Sequence, residues 1–314
     1  MLRRVHQPLF AMTPDRTRRQ ALGVGLGMLW LLWVAASACA LDSARDHLQR
    51  GYDQLLQARQ SAAGEERDQI LANAVQAFDK AYEIAGRQTK IQTLNGAAQA
   101  YLLMQRAPAR FPFLWSASPL SRAQKNLQHV LALEPDNAVA HLLMGLLFGQ
   151  QAQTDYPKRA AHRQRSDAHW RRAAQLGLPL QPLSSDTGES DLRLPSAAMP
   201  PPFAIHDVIL ALQQVDTQGT GHWQDVLLIY RPAVEANRCY GWVMRSNRVY
   251  PLMTNRATGV LAPVGRLDAL RIDADAAGWP RISVTWQRRD RPVETQFVWD
   301  GDGFAATTDD ANGS

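Results

Sequence analysis

Residues Ser121 to Gly149 read SRAQKNLQHVLALEPDNAVAHLLMGLLFG. Ala123, Leu127, Val130 and Leu131 recur at spacings of three and four, which places them on one face of a helix. Pro135-Asp136-Asn137 stops that helix, and Leu142, Leu143, Leu146 and Leu147 open a second amphipathic run. The stretch therefore predicts two helices folded back on each other across a tight turn.

The same pattern of small, large and small residues recurs on either side. Ala74, Phe78 and Ala81 precede the breaker Gly86, and Ser166, Trp170 and Ala173 lie in a run ending near Leu176. Together with helices expected over 43–60, 65–85, 89–106 and 138–152, this gives three helical hairpins, with the extra length of each repeat placed in the loop inside each pair. Ala123, Leu127, Val130 and Pro135, followed by Gly145 and Phe148, stand where the tetratricopeptide repeat has its small, large, small, proline, glycine and aromatic positions. The region resembles that family in degenerate form. The resemblance implies a stack of helical hairpins with a curved face for a peptide or protein segment.

Past Leu178 the pattern changes. Pro179, Pro182, Pro195, Pro200, Pro201 and Pro202 describe a linker over 179–202. Beyond it lie seven short runs rich in valine, isoleucine, tyrosine and tryptophan, at 205–215, 226–231, 239–244, 249–254, 270–274, 282–288 and 293–299. The expected fold class is α+β: a helical repeat region over 41–178, then a small antiparallel β domain over 203–308 and a tail at 309–314. Asp300-Gly301-Asp302-Gly303 reads as a hairpin turn.

The chain carries a net charge of +5, of which the first twenty residues supply +4. A basic face for nucleic acid therefore loses its main support. Ala21 to Ala38 is uncharged and follows those arginines, the order of an export signal. Residues 1–40 are thus expected to direct the protein to the periplasm or envelope, as a cleaved signal, a lipoprotein signal ending at Cys39, or an uncleaved anchor. Thr17 to Leu22 resembles the twin-arginine export motif. With Cys39 removed, Cys239 has no partner for a disulfide and is expected to be a small buried strand residue.

Candidate site residues are few. Phe111, Phe113 and Trp115 alternate in a proline-rich loop, where they either present a docking surface or cover the helix ends. Gln99 and His141, on repeat helices, are further candidates for partner contact, with a packed or surface histidine the plainer reading of His141. Lys158, Arg159, His162, Arg163 and Arg165 read as a solvated basic loop. His162 and His169 lie seven apart, without a third ligand nearby in sequence.

Asp216 to Asp225, with Gly219 and Gly221, resembles the calcium loop of integrin-type FG-GAP repeats, and that resemblance implies Asp216 and Asp225 as ligands. Gln218 and Thr220 replace the expected acidic or amide ligands, so the first reading is a metal-free turn and no cofactor, with calcium the alternative.

No nucleophile elbow, phosphate loop, dinucleotide fingerprint, paired-cysteine zinc motif or His-Glu-x-x-His helix is present, and no enzyme activity is expected. The function expected is an exported scaffold that binds a protein or peptide. A calcium-responsive or structural envelope component using the 216–225 loop, and then an envelope enzyme, are the alternatives. Contact with a membrane is expected only through the N-terminal segment or a lipid on Cys39. Intact mass of the protein from its native host checks the processing: residues 41–314 are expected, a start at Cys39 with acyl mass makes it a lipoprotein, and retention of Met1 or Met12 with membrane fractionation overturns both.

Overall fold

The computed structural model describes residues 43–104, 118–183, 200–215, 225–235, 238–245, 248–254, 261, 266–274, 280–288, 291–301 and 303–308. Six α-helices come first: α1 (43–60), α2 (Glu65–Ile84), α3 (Arg87–Leu103), α4 (Pro119–Leu133), α5 (Ala138–Thr154) and α6 (Arg159–Gln175). None of them is long and apolar enough to cross a membrane. The expected α+β order is present, helices and then strands.

Local chemistry sets the helix ends. The Ser118 side chain accepts from the Ser121 amide, with Pro119 in the first turn, where a missing N–H costs nothing. Asn137 Oδ1 accepts from the Ala140 amide at 2.8 Å and starts α5 straight out of the Pro135 turn. The small, large and small residues at Ala74, Phe78 and Ala81, at Ala123, Leu127 and Val130, and at Ser166, Trp170 and Ala173 are all buried.

The first hairpin shows why glycine is needed. A Cβ on Gly51 of α1 or on Gly96 of α3 would lie 2.5 Å from the Phe78 ring, so that ring is wedged between two bare backbones. Tyr52 closes the pocket edge-on, with ring centroids 5.3 Å apart.

Two expectations about loops are corrected. Only the α3–α4 pair has a long connection; α1 and α2 are joined by residues 61–64, because the extra length of that repeat is used in longer helices. The basic stretch from Lys158 to Arg165 is no loop either. A 3-10 turn at Tyr156–Lys158 leads straight into α6, so Arg159, His162, Arg163 and Arg165 are helical.

Eight strands follow: β1 (Val208–Val215), β2 (Asp225–Arg231), β3 (Tyr240–Arg245), β4 (Arg248–Leu252), β5 (Arg266–Ala274), β6 (Pro280–Arg288), β7 (Arg291–Trp299) and β8 (Phe304–Thr308). The sequence reading missed β8, whose Phe304-Ala305-Ala306-Thr307-Thr308 carries one large apolar residue. Gly301, at φ +109°, makes the turn that returns the chain to it.

The strands form one sheet in the order β1-β2-β3-β4-β8-β7-β6-β5. It consists of two four-stranded antiparallel meanders joined by a single parallel pairing, Leu252 to Phe304. Both meanders begin with an irregular register at the same place, between Ile209 and Ala211 in β1 and between Leu267 and Ala269 in β5.

The meanders differ in what they bury. In β2, Val226, Leu228 and Tyr230 pack in the core shared with the helices, while Leu227 and Ile229 pack in the core shared with the second meander. Covered on both faces, β2 has a continuous apolar run. In β6, Ile282, Val284 and Trp286 turn to the inner core and Ser283, Thr285 and Gln287 turn outward, so its sequence alternates. The molecule is thus three layers: helices, first meander, second meander. Cys239, at the entry to β3, is buried, and burial pushes its thiol up to about 11.

Replacing Gly96 by alanine is expected to destabilise the protein by about 1–3 kcal/mol through overpacking. That outweighs the helix-propensity gain of about 1 kcal/mol. Chemical denaturation checks this, and Phe78→Leu should cost less in the Gly96→Ala background than in the wild type, because the two changes share one space.

Candidate functional site

Both ends of the sheet are open edges, and side chains from the helices occupy them. On β1 the carbonyls of Leu210, Leu212 and Gln214 face away from β2. Arg59 Nη1 donates to the first at 2.9 Å, Gln99 Nε2 to the second at 3.1 Å, and Gln92 Nε2 to the third. On β5 the carbonyls of Leu270 and Leu267 accept from Gln49 and Gln60 of α1, and Arg266 donates back to Gln60. The β1 seam continues through side chains, since Asn95 Nδ2 donates to Gln214 Oε1 at 2.9 Å and lies 3.3 Å from Asn137 Oδ1. Every unpaired strand carbonyl met this way avoids the cost of an unsatisfied acceptor.

Beside this seam is a cleft of about 1150 Å³ between α1, α2, α3, α5, α6 and the start of β1. Leu102, Leu103, Leu143, Leu146, Ile205 and Ile209 give it apolar walls; Gln99, Gln150, Gln153 and Gln164 add amides; Arg59, Arg67, Arg159 and Arg163 add positive charge. Its two acids are engaged elsewhere. Asp167 pairs with Arg171 at 2.5 Å, and Asp207 accepts from the Ala204 and Ala233 amides.

Arg59 is the central group. Its Nη2 donates to Gln99 Oε1 at 2.7 Å, while its Nε is buried without an acceptor among the described residues. Burial pushes its guanidinium down to about 10; Tyr52 opposes this, and Arg67 adds a weaker push in the same direction as burial. Arg67 likewise has a buried Nε without an acceptor, and its Nη2 reaches the Leu103 carbonyl at only 3.4 Å.

The residues singled out from sequence are scattered. Gln99 lines the cleft and also pins β1. His141 does not line it: its Nε2 donates to the Pro135 carbonyl at 2.9 Å, which leaves Nδ1 to accept from His169 Nδ1 at 2.9 Å in the neutral pair. Burial, and then His141, lower the pKa of His169. His162 and His169 do share a neighbour, each stacking on Phe148, with centroids 6.0 and 5.7 Å away. Phe111, Phe113, Trp115 and Asp216 lie outside the described residues. Asp225, buried at the start of β2, faces Arg245 at 3.8 Å, and no group of three or more potential metal ligands occurs among the described residues.

The sequence reading missed Arg59 and Arg67. A signal existed for Arg59, which falls on the apolar face of α1 defined by Leu48, Tyr52, Leu55 and Leu56. In α3 the polar residues Gln92, Asn95 and Gln99 form a stripe at helical spacing and are all buried.

The chain was compared with protein-family models, characterised proteins and solved structures. None gave a significant match.

Replacing Gln99 by leucine is expected to cost about 1–3 kcal/mol, because it strands the Leu212 carbonyl and removes an acceptor from Arg59. A lower urea midpoint with unchanged slope is the readout. An unchanged midpoint would mean that water replaces the amide without loss.

Proposed function

We propose that this protein is a non-catalytic binding protein of the cell envelope that holds a peptide or protein segment in the cleft between its helices and β1. The cleft itself carries this reading: it is large, it mixes apolar walls with amide side chains, and its hydroxyl and acids are engaged as structure. Ser166 donates its hydroxyl hydrogen to the Gly145 carbonyl at 2.7 Å, and both acids are held as described. Glutamine amides offer a donor and an acceptor each, which matches the backbone of an extended segment. Leucine walls supply the apolar area that anchors a bound chain.

The volume favours a segment over a small metabolite, since about 1150 Å³ lies above the usual range of small-molecule pockets. The tetratricopeptide-like pattern supports the same reading, as does the export-like N-terminal sequence for the compartment.

The test is retention of overlapping peptides from envelope proteins by the mature full-length chain, followed by titration of those retained. Peptides with apolar residues are expected to bind, and Leu146→Gln should weaken them about tenfold with little change in thermal midpoint. Failure of every peptide to bind, or binding indifferent to Leu146→Gln and to Leu103→Gln, would overturn the assignment to this cleft.

A further inference from the structure

Among the described residues the cleft has a charge imbalance, four arginines against two acids that are engaged elsewhere. Arg59 and Arg67 come from successive helices of the first hairpin, both line the cleft, and each repels the other. Two like charges on the half-buried wall of one cleft repel each other unless an anion joins them. The candidates within the cleft are Asp167 and Asp207, and their oxygens already receive Arg171 and two backbone amides. The acceptors that Arg59 does have are neutral, a carbonyl and an amide oxygen, which hold the guanidinium in place without cancelling its charge.

Three features show that the arrangement is built. The β1 carbonyl of Leu210 fixes Arg59 from one side and Gln99 fixes it from another, so its position follows from the sheet edge. Both Nε atoms lack acceptors among the described residues, so each guanidinium is short of hydrogen-bond partners where it stands. Leu102, Leu103, Leu143 and Leu146 line the same cleft, and beside apolar walls a charge-assisted hydrogen bond is stronger than at an open surface.

We propose that Arg59 and Arg67 form a subsite for a carboxylate, and that its occupant is an aspartate or glutamate side chain of the bound segment, flanked by apolar residues that meet the leucine walls. This rests on the peptide-binding reading above and adds the chemistry of the ligand to it. A carboxylate has two oxygens and about four lone-pair positions, enough to accept from both guanidinium groups at once. Arg159 and Arg163, on the opposite wall, extend the positive field along the cleft and favour further acidic residues.

The experiment uses the mature full-length chain and one apolar peptide identified as a binder, synthesised with glutamate, glutamine or lysine at its central position, with sodium acetate as a separate competitor. The glutamate peptide is expected to bind about tenfold more tightly than the glutamine peptide, and the lysine peptide more weakly than either. Arg67→Gln should bring the glutamate and glutamine peptides within about threefold of each other. Arg59→Gln also removes a contact to β1 and can unfold the chain, so Arg67→Gln, which gives up a long hydrogen bond to the Leu103 carbonyl, is the deciding variant.

Equal binding of glutamate and glutamine peptides overturns the carboxylate subsite and leaves the peptide reading intact. Loss of all peptide binding in the wild type overturns both. Displacement of the glutamate peptide by acetate at millimolar concentration would mark a site for small free anions and would also overturn the proposal.

Discussion

The structure depends on a match between helix side chains and strand carbonyls. An open β edge is a row of unpaired amides and carbonyls, and in water it is a template for unwanted pairing. Here the β1 edge meets Arg59, Gln99 and Gln92, and the β5 edge meets Gln49 and Gln60. Long amides and a guanidinium suit this task because they reach across the gap that separates a helix axis from a strand. The helices therefore act as a substitute strand. Their spacing along α1 and α3 has to agree with the two-residue repeat of outward carbonyls on β1.

That constraint explains the composition of α3. A helix packed between other helices and a sheet would ordinarily be apolar all round, yet Gln92, Asn95 and Gln99 are buried in it. Each is worth keeping only while its strand partner is in place, since a buried amide without partners is costly. The first meander shows the complementary effect. Clamped between helices and second meander, it is apolar on both faces, and only its edge remains polar enough to need the amides. A chain of aromatic rings, Trp170 to Phe203 to Tyr230 to Tyr240, ties α6 to β2 and β3 of that meander.

Much of this was readable from the residues. The helices and most strands followed from periodicity, because Leu127 and Leu142 in helices, or Ile282 and Val284 in a strand, report the burial of their own element. Phe304–Thr308 escaped because two alanines and two threonines give no clear alternation, and its pairing with β7 decides its state. The cleft was less legible, since Arg59, Gln99, Leu146 and Ile209 are far apart in sequence and meet only after the sheet edge is docked. Polar residues at apolar positions of α1 and α3 were the available clue, and it says that a partner exists without saying which. Gln99 was singled out as a residue for an outside partner, and the fold gives its amide a second employment inside.

The contacts of α1 also impose an order on assembly. Gln49 and Gln60 meet carbonyls 221 and 207 positions later in the chain. α1 is therefore made well before the strand that completes its contacts. Until β5 has been made, one side of the first helix has nothing to bind, and the nascent chain is held short of its final form by its own topology.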